Sequence, residues 1–330
     1  MRTLQLDIEV TRGEVIESRH RVHAAAVTAD GAMLASAHDA QLVTMWRSCS
    51  KFFQVMPFLA TGGFDQLGWG TEELALACAS HGGEPEHVTV AARMLEKLGL
   101  EEGDLACGPH EPLSQRGARL ARESGRPLTR LHNNCSGKHA AMLGRAQTMR
   151  WPTVGYENAE HPVQRDCLAE VSSWTGVPLD DMPIAVDGCG VTVMALPLER
   201  MALAYARLAR AVTAREELPL RILSAVRAHP HLLGGTDRFD TVLLNESNGR
   251  VIAKVGAEGV HTVLVPELGL GIAVKVEDGA QRAQYAAVVA ALEQLGCFPD
   301  GVPPRLADFA QKPLRNTRGE VIGELRVARA

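Results

Sequence analysis

The sequence has no basic cluster, no long apolar run and no closely spaced pair of cysteines among its 330 residues. Its formal charge is -5, so it offers no basic face for phosphate backbones, and we expect a small-molecule partner rather than nucleic acid. No stretch approaches the roughly 18 apolar residues of a spanning helix, and the first residues lack the apolar core of a signal peptide. We therefore expect no membrane association and a cytoplasmic location.

The cysteines are seven in number, scattered, and without any C-x-x-C spacing. An odd, dispersed set predicts neither a disulfide framework nor a standard zinc module. We expect most of these thiols to be reduced and buried.

The chain shows no internal repeat and no linker-like change in composition, so we expect one domain over residues 1–330. Alternating apolar residues around Val15 to Val27 and Ala32 to Ala37 predict a hairpin that turns at Asp30-Gly31. Residues 48–232 show mainly helical periods, and short β-branched runs follow them. The predicted fold is α+β with α/β/α layers: a mainly antiparallel sheet from both chain ends, with a central helical lobe.

The helix predictions share an apolar period near 3.6 residues. They cover Thr71 to Ser80, His87 to Leu98, Cys135 to Met149, Pro162 to Thr175, Leu198 to Val212 and Gln281 to Leu295. The late strand predictions are "RVIAKVG", "HTVLVPELG", "GLGIAVKV" and "EVIGELRV".

The segment "RSCSKFF" holds Ser48 and Lys51 three positions apart, on one face of a short helix that we expect to end near Pro57. A serine becomes a nucleophile only when a base takes its proton, and lysine serves as that base only when its pKa is lowered. The alternative interpretation is a helix-capping Ser48 beside a solvated Lys51. The motif alone does not decide between them.

Two further segments carry single polar candidates. In "CASHGGEPEH", Ser80 lies at a predicted helix end before two glycines, where a ligand can approach the backbone. In "AKVGAEGV", Lys254 ends a predicted strand before a turn. A capped helix end and an exposed strand lysine are the simpler interpretations of these two.

The densest reactive cluster is "LHNNCSGKHAAML". It is not a phosphate loop, because it lacks the upstream glycine and the Ser/Thr after the lysine. Cys135 and Lys138 lie at a helix start, where the helix dipole favours a thiolate. Cys189, between two glycines in "DGCGVTVMALPL", is the candidate second sulfur of a zinc site.

These segments, "WRSCSKFF", "CASHGGEPEH", "NNCSGKHAAML", "DGCGVTVMALPL" and "KVGAEGV", together resemble the rhizobial-type L-asparaginase (asparaginase II) family. The likeness extends from "GEVIESRH" to "NTRGEVIGE", nearly the whole chain. The resemblance implies a fold similar to serine β-lactamases and serine-dependent glutaminases. It also implies a homodimer that hydrolyses L-asparagine to L-aspartate and ammonia.

The resemblance also assigns site residues. It implies two serine-lysine pairs, Ser48 with Lys51 and Ser80 with Lys254, and a zinc ion held by Cys135, Lys138 and Cys189. It implies that Arg47, His139 and Asp187 orient ligands or substrate. By analogy with the related fold, the backbone N–H groups of Ser48 and Ala257 would hold the oxyanion.

The chain departs from the expected pattern at two positions. Val255 follows the strand lysine where β-lactamase relatives have a hydroxyl residue, and Asp240 stands in a segment where family members carry a cysteine. A carboxylate there can alter substrate preference or the pKa of a nearby lysine. The alternatives to an asparaginase are a glutaminase, another amide or β-lactam hydrolase, and a non-catalytic, zinc-linked amino-acid sensor.

Overall fold

The computed structural model describes residues 1–329. The β-strands in this part are β1 Arg2–Thr3, β2 Ile8–Arg12, β3 Val15–His20, β4 Val22–Thr28, β5 Met33–Ala37, β6 Val43–Met45, β7 Ile184–Val186, β8 Thr192–Pro197, β9 Ile252–Val255, β10 Val260–Val265, β11 Leu270–Val276, β12 Lys312–Arg315 and β13 Val321–Val327. The α-helices are α1 Lys51–Gln54, α2 Met56–Ala60, α3 Gly63–Gln66, α4 Thr71–Ala77, α5 Pro85–Leu98, α6 Gln115–Ser124, α7 Ser136–Thr148, α8 Pro162–Thr175, α9 Leu198–Thr213, α10 Glu217–Ala228, α11 Pro230–Leu233, α12 Phe239–Glu246, α13 Gln281–Gln294 and α14 Pro304–Ala310.

The predicted α+β class is confirmed, and the six predicted helices and four late strands all form within a few residues of their expected bounds. The predicted hairpin is β4 and β5, which pair antiparallel across the turn at Asp30 and Gly31. Gly31 has φ +92°, a conformation that glycine adopts without steric cost. The middle of the chain is helical except for β7 and β8.

The chain divides into two compact units, and the first comprises residues 1–49, 196–213 and 242–329. Strands from both chain ends meet in this unit, as predicted, but they form two sheets rather than one. The larger sheet has the order β1-β5-β4-β11-β10-β9, and the smaller one has the order β12-β13-β2-β3. Pairing is antiparallel except between β1 and β5.

Helix α9 packs on the larger sheet at a glycine. A Cβ on Gly271 of β11 would lie 2.0 Å from the carbonyl oxygen of Ala202 in α9, so only glycine permits this approach. Strands β10 and β11 are buried along their whole length, which matches their continuous apolar sequences.

The second unit comprises residues 50–195 and 214–241 and is mainly helical. Helix α7 is its centre, since residues 136–146 are all buried. A Cβ on Gly137 would lie 2.5 Å from the carbonyl oxygen of Leu76, so glycine allows α4 and α7 to pack closely. Strands β7 and β8 form an antiparallel hairpin in this unit.

All seven cysteines are buried and none forms a disulfide bond, as the sequence predicted. Among residues 1–329, no helix combines the length and apolar character needed to cross a membrane.

Candidate active site

Lys51 is the most heavily engaged candidate residue of the second unit. Its side chain is 1% exposed, so it is not the solvated lysine of the simpler interpretation. The amino group donates hydrogen bonds to the Ala79 carbonyl, to Ser80 Oγ at 3.2 Å and to Cys135 Sγ at 3.1 Å. These contacts place the amino group between a backbone carbonyl, a serine hydroxyl and a thiol.

Local sequence explains how Lys51 is held. Residues 47–50 form a 3-10 turn that leads directly into α1, where Lys51 is the first residue. Helix α1 ends at Gln54, close to Pro57, as expected. Pro57 itself lies in the first turn of a second short helix, α2, where its missing N–H has no intrahelical partner to lose.

Cys135 caps the N-terminus of α7. Its backbone N–H donates to Asn133 Oδ1 at 2.9 Å, and its carbonyl accepts the first helical bond from His139 at 3.0 Å. One turn into the helix, Lys138 is 4% exposed and donates to Cys189 Sγ at 3.1 Å. Within this unit, therefore, Lys51, Ser80, Cys135, Lys138 and Cys189 form one contiguous polar cluster.

Cys189 lies in the turn between β7 and β8. The Gly190 N–H donates to the Asp187 carbonyl at 2.8 Å, and the Asp187 N–H donates to the Val191 carbonyl at 2.8 Å. Gly190 has φ +93°, which explains the glycine after the cysteine. Asp187 Oδ2 lies 3.7 Å from Cys189 Sγ.

The two thiols of the cluster differ in their affinity for protons. Hydrogen bonding with Cys135, helped by the charge of Lys138, lowers the pKa of Cys189 to about 5 although burial opposes ionisation. The same thiol pairing and burial raise the pKa of Cys135 to about 12. Burial disfavours a charge on Lys138, but the nearby Cys189 and Cys135 sulfurs outweigh it and raise the Lys138 pKa. Cys189 is therefore the thiolate of the pair and Lys138 its counter-ion.

The donor set suits a zinc ion. The Lys138 amine lies 3.1 Å from Cys189 Sγ, and the Cys189 thiol is hydrogen-bonded to Cys135. Soft sulfur ligands together with nitrogen are ligands that Zn²⁺ prefers. Metal binding would have to remove the protons from Cys135 and Lys138.

A cavity of about 10 Å³, roughly the space for one water molecule, adjoins Lys51 and Lys138. It is also lined by Gln54, whose Oε1 is buried and accepts no hydrogen bond from residues 1–329. The space is large enough for a water molecule that would satisfy such an oxygen.

Three other predicted residues lie in the same unit. His139 is fully buried and contacts Tyr156, and burial together with the charge of Lys138 lowers its pKa to about 3. Asp187 is half-buried in the hairpin turn. Asp240 is 2% exposed in the first turn of α12.

The remaining predicted residues lie in the first unit: Arg47, Ser48, Lys254 and Ala257. The Cys49 thiol donates to the Lys254 carbonyl at 2.9 Å, so the segment that carries Ser48 lies against the end of β9. Lys254 is fully buried and is therefore not the exposed strand lysine of the simpler interpretation. Arg47 has φ +53°, a strained conformation for a non-glycine residue that is typical of functional sites.

Side chains from α13 and β11 hydrogen-bond to the backbone of the turn that follows Lys254. Gln284 Nε2 donates to the carbonyls of Gly256 and Val260 at 3.1 and 2.6 Å, and Lys275 Nζ donates to the Glu258 carbonyl at 2.8 Å. These bonds fix the backbone on both sides of Ala257. Sequence reasoning missed Gln284 and Lys275, because they are ordinary polar residues of α13 and β11.

Sequence reasoning also missed Thr262. It lies directly opposite Lys254 in the β9–β10 pair, so both side chains share one face of the sheet. Its hydroxyl is buried and has no hydrogen-bond partner among the described residues. A hydroxyl is thus present beside Lys254 although Val255 does not supply one. Only the strand register, which the sequence does not give, reveals it.

One carboxylate-histidine group elsewhere in the second unit has metal-like spacing. Ligand atoms of Glu84, Glu86 and His231 all lie within 4.8 Å of one another. Arg116 donates to Glu84 at 2.5 Å and to Glu86 at 2.8 Å. The guanidinium already neutralises both carboxylates, so this group is better described as an ion-pair cluster.

Comparison with known proteins agrees with the resemblance in the sequence. The class of protein that the comparison indicates is that of the asparaginases. More particularly, the chain belongs to the L-asparaginase II family, because the model of that family matches residues 8–327.

Comparison with individual proteins adds less. No curated protein matches the chain significantly. A solved structure described as "Crystal Structure Analysis of Mglu in its glutamate form" aligns with 86% of this chain at 15% identity and a TM-score of 0.37. The aligned part is 63% of that structure, so the chain spans less than two thirds of its length. This likeness is too low to bear on the site or the activity.

Proposed function

We propose that the chain hydrolyses the side-chain amide of L-asparagine to L-aspartate and ammonia (EC 3.5.1.1). The observation that carries this proposal, beside the family, is the position of Lys51. Its amino group is buried against Ser80 and Cys135 rather than exposed to solvent. A lysine amino group within hydrogen-bond distance of a serine hydroxyl is placed to exchange a proton with that hydroxyl.

In the proposed reaction, Ser48 is the nucleophile and neutral Lys51 takes its proton. The Ser48 oxygen attacks the amide carbon of asparagine, and the backbone N–H groups of Ser48 and Ala257 hold the oxyanion. The C–N bond then breaks, and Ser80 with Lys254 delivers a proton to the departing ammonia. A water molecule hydrolyses the resulting aspartyl ester and restores the serine.

Supporting contacts exist in each unit. In the first, the Cys49 thiol joins the Ser48 segment to the Lys254 strand, and the turn at Ala257 is pinned by Gln284. In the second, Lys51 contacts Ser80 at 3.2 Å, a pairing that the sequence did not suggest. This contact gives a proton an alternative path, from Ser80 to Lys51, and makes Ser80 the competing nucleophile.

Cys135, Lys138 and Cys189 are the residues that would hold zinc, and the bound ion would act as a Lewis acid that fixes the substrate or shapes the pocket. Arg47, His139 and Asp187 would orient ligands around this centre. Asp240 would add a buried negative charge that influences a nearby lysine or the choice of substrate. The single domain, the homodimer and the cytoplasmic location stay predictions of the same proposal.

Ammonia release from L-asparagine and L-glutamine, together with the colour change of a chromogenic β-lactam on ring opening, tests the proposal. We expect release from asparagine with a kcat/KM at least about tenfold above that for glutamine, and no β-lactam turnover; a factor of ten corresponds to about 1.4 kcal/mol of discrimination. Preferred turnover of glutamine or of the β-lactam would replace the substrate assignment. Asparagine binding without turnover would indicate the non-catalytic sensor.

A further inference from the structure

The imidazole of His139 is held by a short relay of hydrogen bonds. Its Nδ1 lies 2.5 Å from the hydroxyl of Tyr156, and that hydroxyl oxygen accepts the backbone N–H of Ala106 at 2.9 Å. The Ala106 N–H occupies a lone pair of the phenol oxygen, so the phenol proton is directed at Nδ1. Nδ1 is therefore the acceptor, and the neutral ring carries its proton on Nε2.

Tyr156 is itself fixed rigidly. It is 1% exposed, and Gln164 Nε2 donates to its carbonyl at 2.9 Å. Gln164 is also 1% exposed. The phenol therefore has little freedom to turn away from His139, and the tautomer is built into the fold.

The opposite edge of the His139 ring is unsatisfied. Nε2 is buried and has no hydrogen-bond partner among the described residues, although the ring is 0% exposed. An unsatisfied buried donor costs about 1–3 kcal/mol, so a bound acceptor at Nε2 would be stabilising. His139 directly follows Lys138 in α7, and its backbone N–H donates to the Cys135 carbonyl at 3.0 Å, so the residue lies beside two members of the polar cluster.

The cluster's sulfurs already have their own donors. Cys135 Sγ accepts a hydrogen bond from Lys51 Nζ, and Cys189 Sγ accepts one from Lys138 Nζ, each at 3.1 Å. No described residue accepts a hydrogen bond from His139 Nε2, so an acceptor on a bound ligand can complete it. An amino-acid amide offers oxygen acceptors of that kind, in its carboxylate and its carbonyl.

We propose that Tyr156 is a positioning residue that fixes His139 in the Nε2–H tautomer, so that His139 donates a hydrogen bond to an oxygen of the bound amino-acid amide. This inference rests on the proposed function and adds to it the donor that recognises the substrate's oxygen.

The tautomer is measured directly by two-bond ¹⁵N–¹H correlation NMR on protein labelled with [¹⁵N]histidine, with His139→Gln used to assign the resonance. We expect the Nε2–H pattern in the wild type and loss of that single pattern in Tyr156→Phe. An Nδ1–H pattern in the wild type, or an unchanged pattern in Tyr156→Phe, would overturn the proposal. This readout does not depend on turnover, so it stands even if asparagine is not the substrate.

A double-mutant cycle separates positioning from a merely structural role. His139→Gln presents its amide N–H near the Nε2 position whatever residue 156 is. We expect Tyr156→Phe to lower kcat/KM for asparagine about tenfold in the wild type, mainly through KM, and by less than about twofold in the His139→Gln background. An equal loss in both backgrounds would show that Tyr156 acts on the fold and not through His139.

Discussion

The amino group of Lys51 lies 3.1 Å from the sulfur of Cys135. The same amino group lies 3.2 Å from Ser80 Oγ, so one lysine joins the serine chemistry to the cysteine cluster. In the sequence, the serine-lysine pair and the thiol-lysine site are separate motifs, and the family resemblance implies that both lie near one substrate. Within the second unit they share a residue.

Lys51→Met removes the proposed base while keeping the length and apolar stem of the side chain. We expect kcat for ammonia release from asparagine to fall about 10²–10⁴-fold, the usual contribution of a positioned general base. The matched control is Lys312→Met, since Lys312 is exposed in β12 and lies outside the site. Activity retained within about threefold in Lys51→Met, with a folded protein by circular dichroism, would remove Lys51 from the mechanism.

Zinc affinity is expected to rise with pH. In the metal-free chain, Cys189 is already ionised because its pKa is about 5, whereas Cys135, with a pKa of about 12, and Lys138, with a raised pKa, keep their protons. Binding must release those two protons, so affinity should increase by up to about a hundredfold per pH unit near neutrality.

Competition with a chromophoric chelator at two pH values measures this dependence. Cys189→Ser should weaken binding strongly, and Cys297→Ser should leave it unchanged, because Cys297 is not one of the proposed ligands. A pH-independent affinity, or equal losses in the two variants, would contradict the assignment of the ligands.

Gly137→Ala tests the packing that places Lys138 and Cys135. The added Cβ would meet the Leu76 carbonyl at 2.5 Å, and backbone has little freedom to move. We expect a loss of about 2–3 kcal/mol in the free energy of unfolding, measured with urea. Gly103→Ala is the control, since its Cβ would meet nothing within 4 Å and should change stability by less than about 0.5 kcal/mol. Equal effects would show that α4 and α7 are not closely packed at this point.

Glu84 is expected to stabilise the native state only above acidic pH. Burial disfavours its charge, but hydrogen bonds from Thr236 and Arg116 outweigh burial and lower its pKa from 4.5 to about 2. A depressed carboxyl pKa stabilises the fold fully above about pH 4.5, and the effect is lost as pH falls toward 2. Glu84→Gln should therefore lower the free energy of unfolding by about 3 kcal/mol at pH 7, and by about half as much near pH 3.

Glu86→Gln is the comparison for Glu84→Gln. The Glu86 pKa is also lowered to about 2, chiefly by its hydrogen bond from Arg116, but its side chain is 47% exposed. Solvent screening should reduce its effect on stability below about 1 kcal/mol. A larger loss from Glu86→Gln than from Glu84→Gln would show that burial does not decide the strength of this ion-pair cluster.

Much of the fold follows from the sequence. Apolar periodicity predicts α8 with both of its bounds, and α9 to within one residue at its end. Periodicity did not show how strands divide between sheets, because pairing joins residues as distant as Val10 and Leu325. It also did not predict that Pro57 begins a second short helix, since proline ends some helices and starts others.

The site was predictable only where motifs carry it. Cys135, Lys138 and Cys189 follow from their segments and the family resemblance. Tyr156 and Thr262 have no local signature, because each matters through one contact or one register position with a residue distant in sequence. The contact between Lys51 and Ser80 likewise depends on tertiary packing across 29 residues of chain.

The most direct test of the proposed mechanism is mass spectrometry of the acyl-enzyme, trapped by rapid acid quench during asparagine turnover. Ser48→Ala and Ser80→Ala are compared with the wild type, and the modified peptide is sequenced. We predict an aspartyl adduct on Ser48 that persists in Ser80→Ala and is absent from Ser48→Ala. An adduct on Ser80 that survives in Ser48→Ala would contradict the assignment of Ser48 as the nucleophile.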